Sequence, residues 1–140
     1  MVTVVIDACV ALTWAMPEGE EDVDRAYCEK VAAMAIAGEA RLIAPYVLTA
    51  ECAYQLLKRG RAAKWRRPRF VKQAETIELY NIRLLPGQLP LTEHVELGLG
   101  LHAQGFDALY LDLARKTGAS LATVDKGMKS AARQAGVKLL

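Results

Sequence analysis

Four carboxylates of this sequence, Asp7, Glu51, Asp107 and Asp125, stand where apolar runs meet helical patterns. Asp7 follows the β-formers Val4, Val5 and Ile6, and Asp125 closes "SLATVD". Glu51 lies in "APYVLTAE", and Asp107 opens "DALYLDLA". Neither Lys nor Arg adjoins Asp7, Glu51 or Asp107. A carboxylate among apolar neighbours is costly unless it is paired or binds a metal. Several hard oxygen donors converging without cations is the chemistry of a divalent-cation site, and Mg²⁺ takes a few carboxylates while keeping several waters. Singly, Asp7, Asp107 and Asp125 could each cap a helix, Asp107 above all, and Glu51 could sit on a helix surface. The joint pattern is what points to one metal site.

The elements that must position these acids follow from hydrophobic periodicity. Strands are expected over 3–6, 41–44, 82–85 and 120–124, with a last short one over 137–140. Helices are expected over 8–16, stopping before Pro17, and over 20–37, where Val23, Ala26, Tyr27, Val31, Met34 and Ala35 recur at helical spacing and Gly38 is a C-cap. Further helices are expected over 47–59, closed by Gly60, and over 62–80, interrupted or restarted at Pro68. Segments 92–104 and 106–116 read as helices split at Gly105, and 126–135 as the last helix. Strands alternating with helices imply an α/β fold with a mostly parallel central sheet and helices on both faces. In such sheets, sites form outside the carboxyl ends of the strands, which is where the acids fall.

Composition narrows the class. A chain of 140 residues, 53% hydrophobic and 24% charged, is expected to be one globular domain spanning 1–140. No apolar run reaches the roughly 18 residues of a membrane span. The chain opens on a strand pattern, with neither the positive start nor the cleavage site of a signal peptide. Cys9, Cys28 and Cys52 are odd in number and lack CxxC spacing, which argues against a disulfide framework and a zinc site. A cytoplasmic location with reduced thiols is expected. Net charge is only +2, but residues 58–72 hold eight of the 18 Lys and Arg and no acid. A solvated helix face would be expected to carry acidic partners at three- or four-residue spacing. Arg61, Lys64, Arg66, Arg67 and Arg69 therefore suit an RNA backbone, with Trp65 placed to stack on an unpaired base. His94 and His102 are read as packing or surface residues.

The acids and their contexts resemble the PIN-domain ribonucleases, particularly the VapC-type toxins of toxin–antitoxin pairs. The resemblance spans essentially the whole chain. It rests on "VVIDACVALTWAMPE", on "APYVLTAECAYQLLK", and most specifically on "GFDALYLDLARKTGASLATVDKGM". It implies a Rossmann-like, three-layer α/β sandwich with Asp7, Glu51, Asp107 and Asp125 as the catalytic set and Thr123 as a supporting hydroxyl. Cys9 stands where Ser or Thr is more usual, and Asp112 where a small residue is common; neither change removes a ligand. The implied activity is Mg²⁺-dependent hydrolysis of RNA (Mn²⁺ being the other candidate), leaving 5′-phosphate and 3′-hydroxyl ends. Asp7, Asp107 and Asp125 would hold the metal, and Glu51 would orient or deprotonate water. The implied partners are an RNA substrate, a cognate antitoxin, for which the basic strip is also a candidate surface, and a second copy of the chain. Trp14, Tyr27 and Met34 are expected to offer apolar surface to that copy.

Other classes fit less well. A haloacid-dehalogenase-type phosphotransferase needs Asp where Cys9 stands, and a cysteine phosphatase needs Arg where Ala15 stands. Two alternatives stay close: a PIN nuclease of RNA processing or decay, and a non-catalytic PIN-like binding module. A module of that kind is expected to lose acids from the set, and all four are present.

Overall fold

Val4, Val5 and Ile6 have no solvent exposure and form the carboxyl-terminal part of the first strand, β1 (Val2–Ile6). Burying each such side chain stabilises the fold by about 1.5–3 kcal/mol, which is why this apolar run becomes a central strand. The computed structural model describes residues 1–87 and 89–140. After β1 come α1 (Ala8–Ala15), α2 (Asp22–Ile36), β2 (Ala40–Pro45), α3 (Val47–Ala62), α4 (Arg67–Glu78) and β3 (Arg83–Leu85). Then follow α5 (Leu91–Leu101), α6 (Asp107–Thr117), β4 (Ser120–Ala122) and α7 (Lys126–Gln134).

Among the described residues the four strands form one all-parallel sheet in the order β3-β2-β1-β4. The architecture is Rossmann-like α/β, as expected. Val5 pairs in register with Ile43 of β2 on one side and Leu121 of β4 on the other. The chain leaves β1 toward β2 and returns to its opposite edge as β4. The carboxyl ends of β1 and β4 thus flank the point where strand order reverses, the usual place for a site in open sheets. Helix α6 packs across β1, β2 and β4, while α1 meets α2, α3 and α4.

Several boundaries differ from expectation. The fourth strand stops at Ala122 because Thr123 leaves the ladder to make side-chain hydrogen bonds. The last expected strand is a single bridge, Leu121 to Leu139, after the turn at Gly136. Gly38 does end α2, in the left-handed conformation at φ 74° that glycine adopts without cost. Pro68 restarts the helix by falling in the first turn of α4. Gly60 does not close α3, which runs on to Ala62. Its backbone instead lies directly against the rings of Phe70 and Trp65, where any Cβ would collide. Gly60→Ala should therefore lower stability by about 1–2 kcal/mol, the cost of overpacking outweighing alanine's better helix propensity. Thermal melting checks this, and a more stable variant would mean that the α3–α4 turn does not close on those rings.

Trp14, Tyr27 and Met34 are not open surface. They pack against the core, with the Trp14 indole donating to the Cys28 carbonyl at 2.8 Å and stacking 4.3 Å from Tyr80. The apolar surface lies elsewhere: Leu91, Val95 and Leu99, spaced by four on α5, are 80%, 53% and 71% exposed. His94 is half-buried and His102 exposed. No helix among the described residues is long and apolar enough to cross a membrane. The three cysteines are free.

Candidate active site

Asp7 is the residue at which β1 becomes α1. Its backbone amide still bonds the Ala122 carbonyl of the neighbouring strand, while its Oδ1 accepts from the Ala8 amide at 2.8 Å and caps the helix. Oδ2 accepts from the Thr123 hydroxyl at 2.6 Å and from the Cys9 thiol at 3.3 Å. The residue is only 7% exposed, so both oxygens are held in fixed directions. Burial pushes the Asp7 pKa up, the three hydrogen bonds pull it partly back, and the Asp125 charge raises it further. Burial and the adjacent Asp7 carboxyl push the Cys9 thiol up to about 12, so Cys9 serves as a hydrogen-bond donor in the role expected of Ser or Thr.

Asp125 caps α7 through Oδ2, which accepts from the Met128 amide at 2.7 Å. Thr123 ties the two strand ends together, donating to Asp7 and accepting from the Asp125 amide at 3.1 Å. Asp107 behaves differently from expectation. It is the first residue of α6, Phe106 holds the cap position, and no side chain caps this helix. Its carboxyl is pushed up to about 6 by burial first and then by the charges of Asp7 and Asp125. Glu51, in the second turn of α3, is half-buried; its Oε1 accepts from the Tyr110 hydroxyl at 2.7 Å. Burial raises the Glu51 pKa, Tyr110 offsets this in part, and Asp7 and Asp107 add to it. The Asp-Ala-x-Tyr spacing now has a physical reason: residues three apart share a helix face, so α6 aims Asp107 at the acids and Tyr110 at Glu51.

All four acids line one cleft of about 340 Å³, together with Cys9, Glu20, Gln55, Arg59 and Phe106. Neither of the two ion pairs among the described residues includes any of the four, so no cation among those residues is in direct contact with them. Hard oxygen donors in that condition suit Mg²⁺ or Mn²⁺. Among the described residues no three side chains are yet drawn close enough to hold an ion. Tyr110 holds Glu51, and the α7 cap holds Asp125. Mg²⁺ binds through one or two carboxylates and keeps several waters, so the chemistry of the donor set fits the ion.

The family model of the PIN domain matches residues 4–134. The chain belongs to the PIN domain family. PIN domains are generally nucleases, and PIN nucleases typically use divalent metals. In fold this PIN domain is similar to the crystal structure of PAE2754 from Pyrobaculum aerophilum, at 16% identity and TM-score 0.64, over 93% of this chain and 84% of that one. It is similar at 14% identity and TM-score 0.59 to VapBC2 from Rickettsia felis bound to a DNA fragment from their promoter, over 99% of this chain and 98% of that one. A domain of a functionally unknown protein from Methanocaldococcus jannaschii DSM 2661 matches at 20% identity and TM-score 0.55, over 100% of this chain and 90% of that one. Likeness at these identities is one of fold. No curated protein sequence matches significantly.

The basic strip of this PIN domain is exposed at Arg61, Lys64, Arg66, Arg67 and Arg69, and none of these is in an ion pair among the described residues. Trp65 is only half-exposed, and its ring is already engaged: the Arg69 guanidinium lies 4.5 Å over it and Phe70 meets it edge-on at 5.5 Å. Asp112, on the same helix as Asp107, pairs with Lys116 at 2.7 Å. Sequence reasoning missed Gln55, Arg59, Phe106 and the clamp from Tyr110. The first two were legible as Glu51, Gln55 and Arg59, four residues apart on one helix face. Phe106 carried no periodic signal of its own.

Proposed function

We propose that this PIN domain is a metal-dependent ribonuclease and the toxin of a type II toxin–antitoxin pair. The observation that carries the nuclease reading is the convergence of four carboxylates, none in an ion pair among the described residues, on one cleft at the carboxyl ends of β1 and β4. Asp7, Asp107 and Asp125 would hold the metal. When bound, the ion supplies a Lewis acid at a phosphodiester oxygen and lowers the pKa of water. Thr123 and Cys9 fix the direction of the Asp7 carboxylate. Glu51, with Oε1 held by Tyr110, keeps Oε2 to accept a proton from the attacking water, and its raised pKa suits a base. Hydrolysis would leave 5′-phosphate and 3′-hydroxyl ends. The exposed strip from Arg61 to Arg69 would hold the RNA backbone by charge, outside the cleft.

The fold likeness to VapBC2 supports the toxin reading, and with it a protein antitoxin and a cytoplasmic location. Purified protein should cleave RNA with Mg²⁺ or Mn²⁺ and stop on addition of EDTA, and sequencing fragment 5′ ends should find phosphates there. Cleavage that survives EDTA would sink the metal assignment. A homodimer is proposed through the α5 stripe of Leu91, Val95 and Leu99, which leaves apolar surface without cover. Light scattering at micromolar concentration should give twice the chain mass, and Val95→Glu should return the monomer. A monomeric wild type refutes the dimer.

A further inference from the structure

We propose that Arg59 and Phe106 form a subsite for one unpaired nucleotide at the rim of the carboxylate cleft, with Arg59 holding its phosphate and Phe106 stacking on its base. This rests on the ribonuclease reading above.

Arg59 lies two turns beyond Glu51 on the same face of α3, with Gln55 between them, and all three line the cleft. Five carboxylates line it as well, Asp7, Glu20, Glu51, Asp107 and Asp125, yet Arg59 forms an ion pair with none of them among the described residues. Its guanidinium fork is therefore open to an anion that offers two oxygens side by side, as the non-bridging oxygens of a phosphodiester do. Phe106 enters the same cleft from the start of α6, next to Asp107, and is 48% exposed. An aromatic side chain and an arginine, one on each of two elements flanking acids that handle phosphodiesters, form the pairing that holds single-stranded nucleic acid. A base in a duplex keeps its faces within the stack, so the subsite selects an unpaired nucleotide. Trp65 is less suited to the task because Arg69 already covers its ring. Gln55, between Glu51 and Arg59, brings both a donor and an acceptor to the ribose or base edge.

The test uses a short single-stranded RNA oligonucleotide with Mg²⁺ or Mn²⁺, and four variants: Phe106→Leu, Phe106→Tyr, Arg59→Gln and Arg59→Lys. Leu keeps the apolar bulk and removes the π-face. Phe106→Leu should raise KM about 10-fold with kcat changed less than about 3-fold, and Phe106→Tyr should restore the wild-type value. An abasic nucleotide at the stacked position should abolish the difference between Phe106 and Leu. Arg59→Gln should raise KM about 10-fold and reduce the salt slope of binding by about 0.7, the share of one single-strand phosphate, with partial rescue by Lys. Both side chains reach solvent, so melting temperatures should stay within a few degrees of wild type. A wild type that cleaves RNA while both Phe106→Leu and Arg59→Gln keep their KM overturns the subsite and leaves the ribonuclease reading standing. An unchanged Leu penalty on the abasic substrate also overturns it, since a merely structural role would behave that way. A wild type that cleaves no RNA with either metal overturns both.

Discussion

Asp7→Asn should reduce metal-supported RNA cleavage more than about 100-fold, beyond the 10- to 100-fold typical of losing a group that only orients a ligand. The fold should survive, because Asn caps a helix nearly as well as Asp and can keep the bond from the Ala8 amide. The Thr123 hydroxyl can turn to accept from the new amide as readily as it donates to the carboxylate. What Asn cannot supply is the negative charge at the strand end. Thr123→Val gives the graded comparison. It keeps all four carboxylates but removes the short bond at 2.6 Å that aims Oδ2, so its loss should fall within about 10- to 100-fold. Initial rates on one RNA substrate, with circular dichroism to verify folding, measure both. A folded Asp7→Asn protein that cleaves within a few-fold of wild type would remove Asp7 from the reaction.

Asp107→Asn should raise the melting temperature of metal-free protein at neutral pH. The Asp107 carboxyl is pushed up to about 6 from its ordinary 3.8, so between those two values the folded chain holds a proton there that the unfolded chain has already released. Stability contributed by this group is therefore greatest below about pH 4 and is lost as pH rises through about 6. Asn does not titrate, so the variant's advantage should be absent below pH 4, grow between 4 and 6, and hold level above. Half-exposure screens the charge, which limits the gain to about 1 kcal/mol. For a chain of this size that is about 3 °C. Asp107 is the right site for the test because no side-chain cap bond is lost with it, unlike Asp7 or Asp125. Mn²⁺ should reverse the order. It should bind the folded wild type and stabilise it by about 2.7 kcal/mol at a hundredfold excess over Kd, and the variant by less. Melting curves at pH 4 and pH 7, with EDTA and with Mn²⁺, decide the matter. Equal melting temperatures for both proteins in all four conditions would mean that the four acids do not act as one metal site.

Much of this molecule can be read from local pattern alone. The apolar run ending at Asp7, the alternation of strand and helix, the stop at Gly38 and the restart at Pro68 are properties of short segments, and short segments set their own periodicity and caps. The four acids were visible for the same reason, since each interrupts an apolar context. Tertiary structure decided how they are used. Locally, Asp107 looked most like a helix cap, yet Asp7 and Asp125 hold the caps and Asp107 is left to the cleft. Thr123 meets Asp7 across 116 residues of chain only because β4 joins the sheet beside β1 rather than beside β3. Thr123 leaves the ladder there, which ends β4 early, and it also comes within 3.5 Å of the Cys9 thiol. Gly60 reads as a stop signal in isolation, but the helix continues through it, and the position is glycine because the rings of Trp65 and Phe70 occupy the space a side chain would need. Trp65 looked free for the same reason that Phe106 looked ordinary: exposure depends on which element folds over a ring. Periodicity reports which face of an element is apolar. Which strands become neighbours, and which polar groups then share a cleft, depends on the packing of the whole chain.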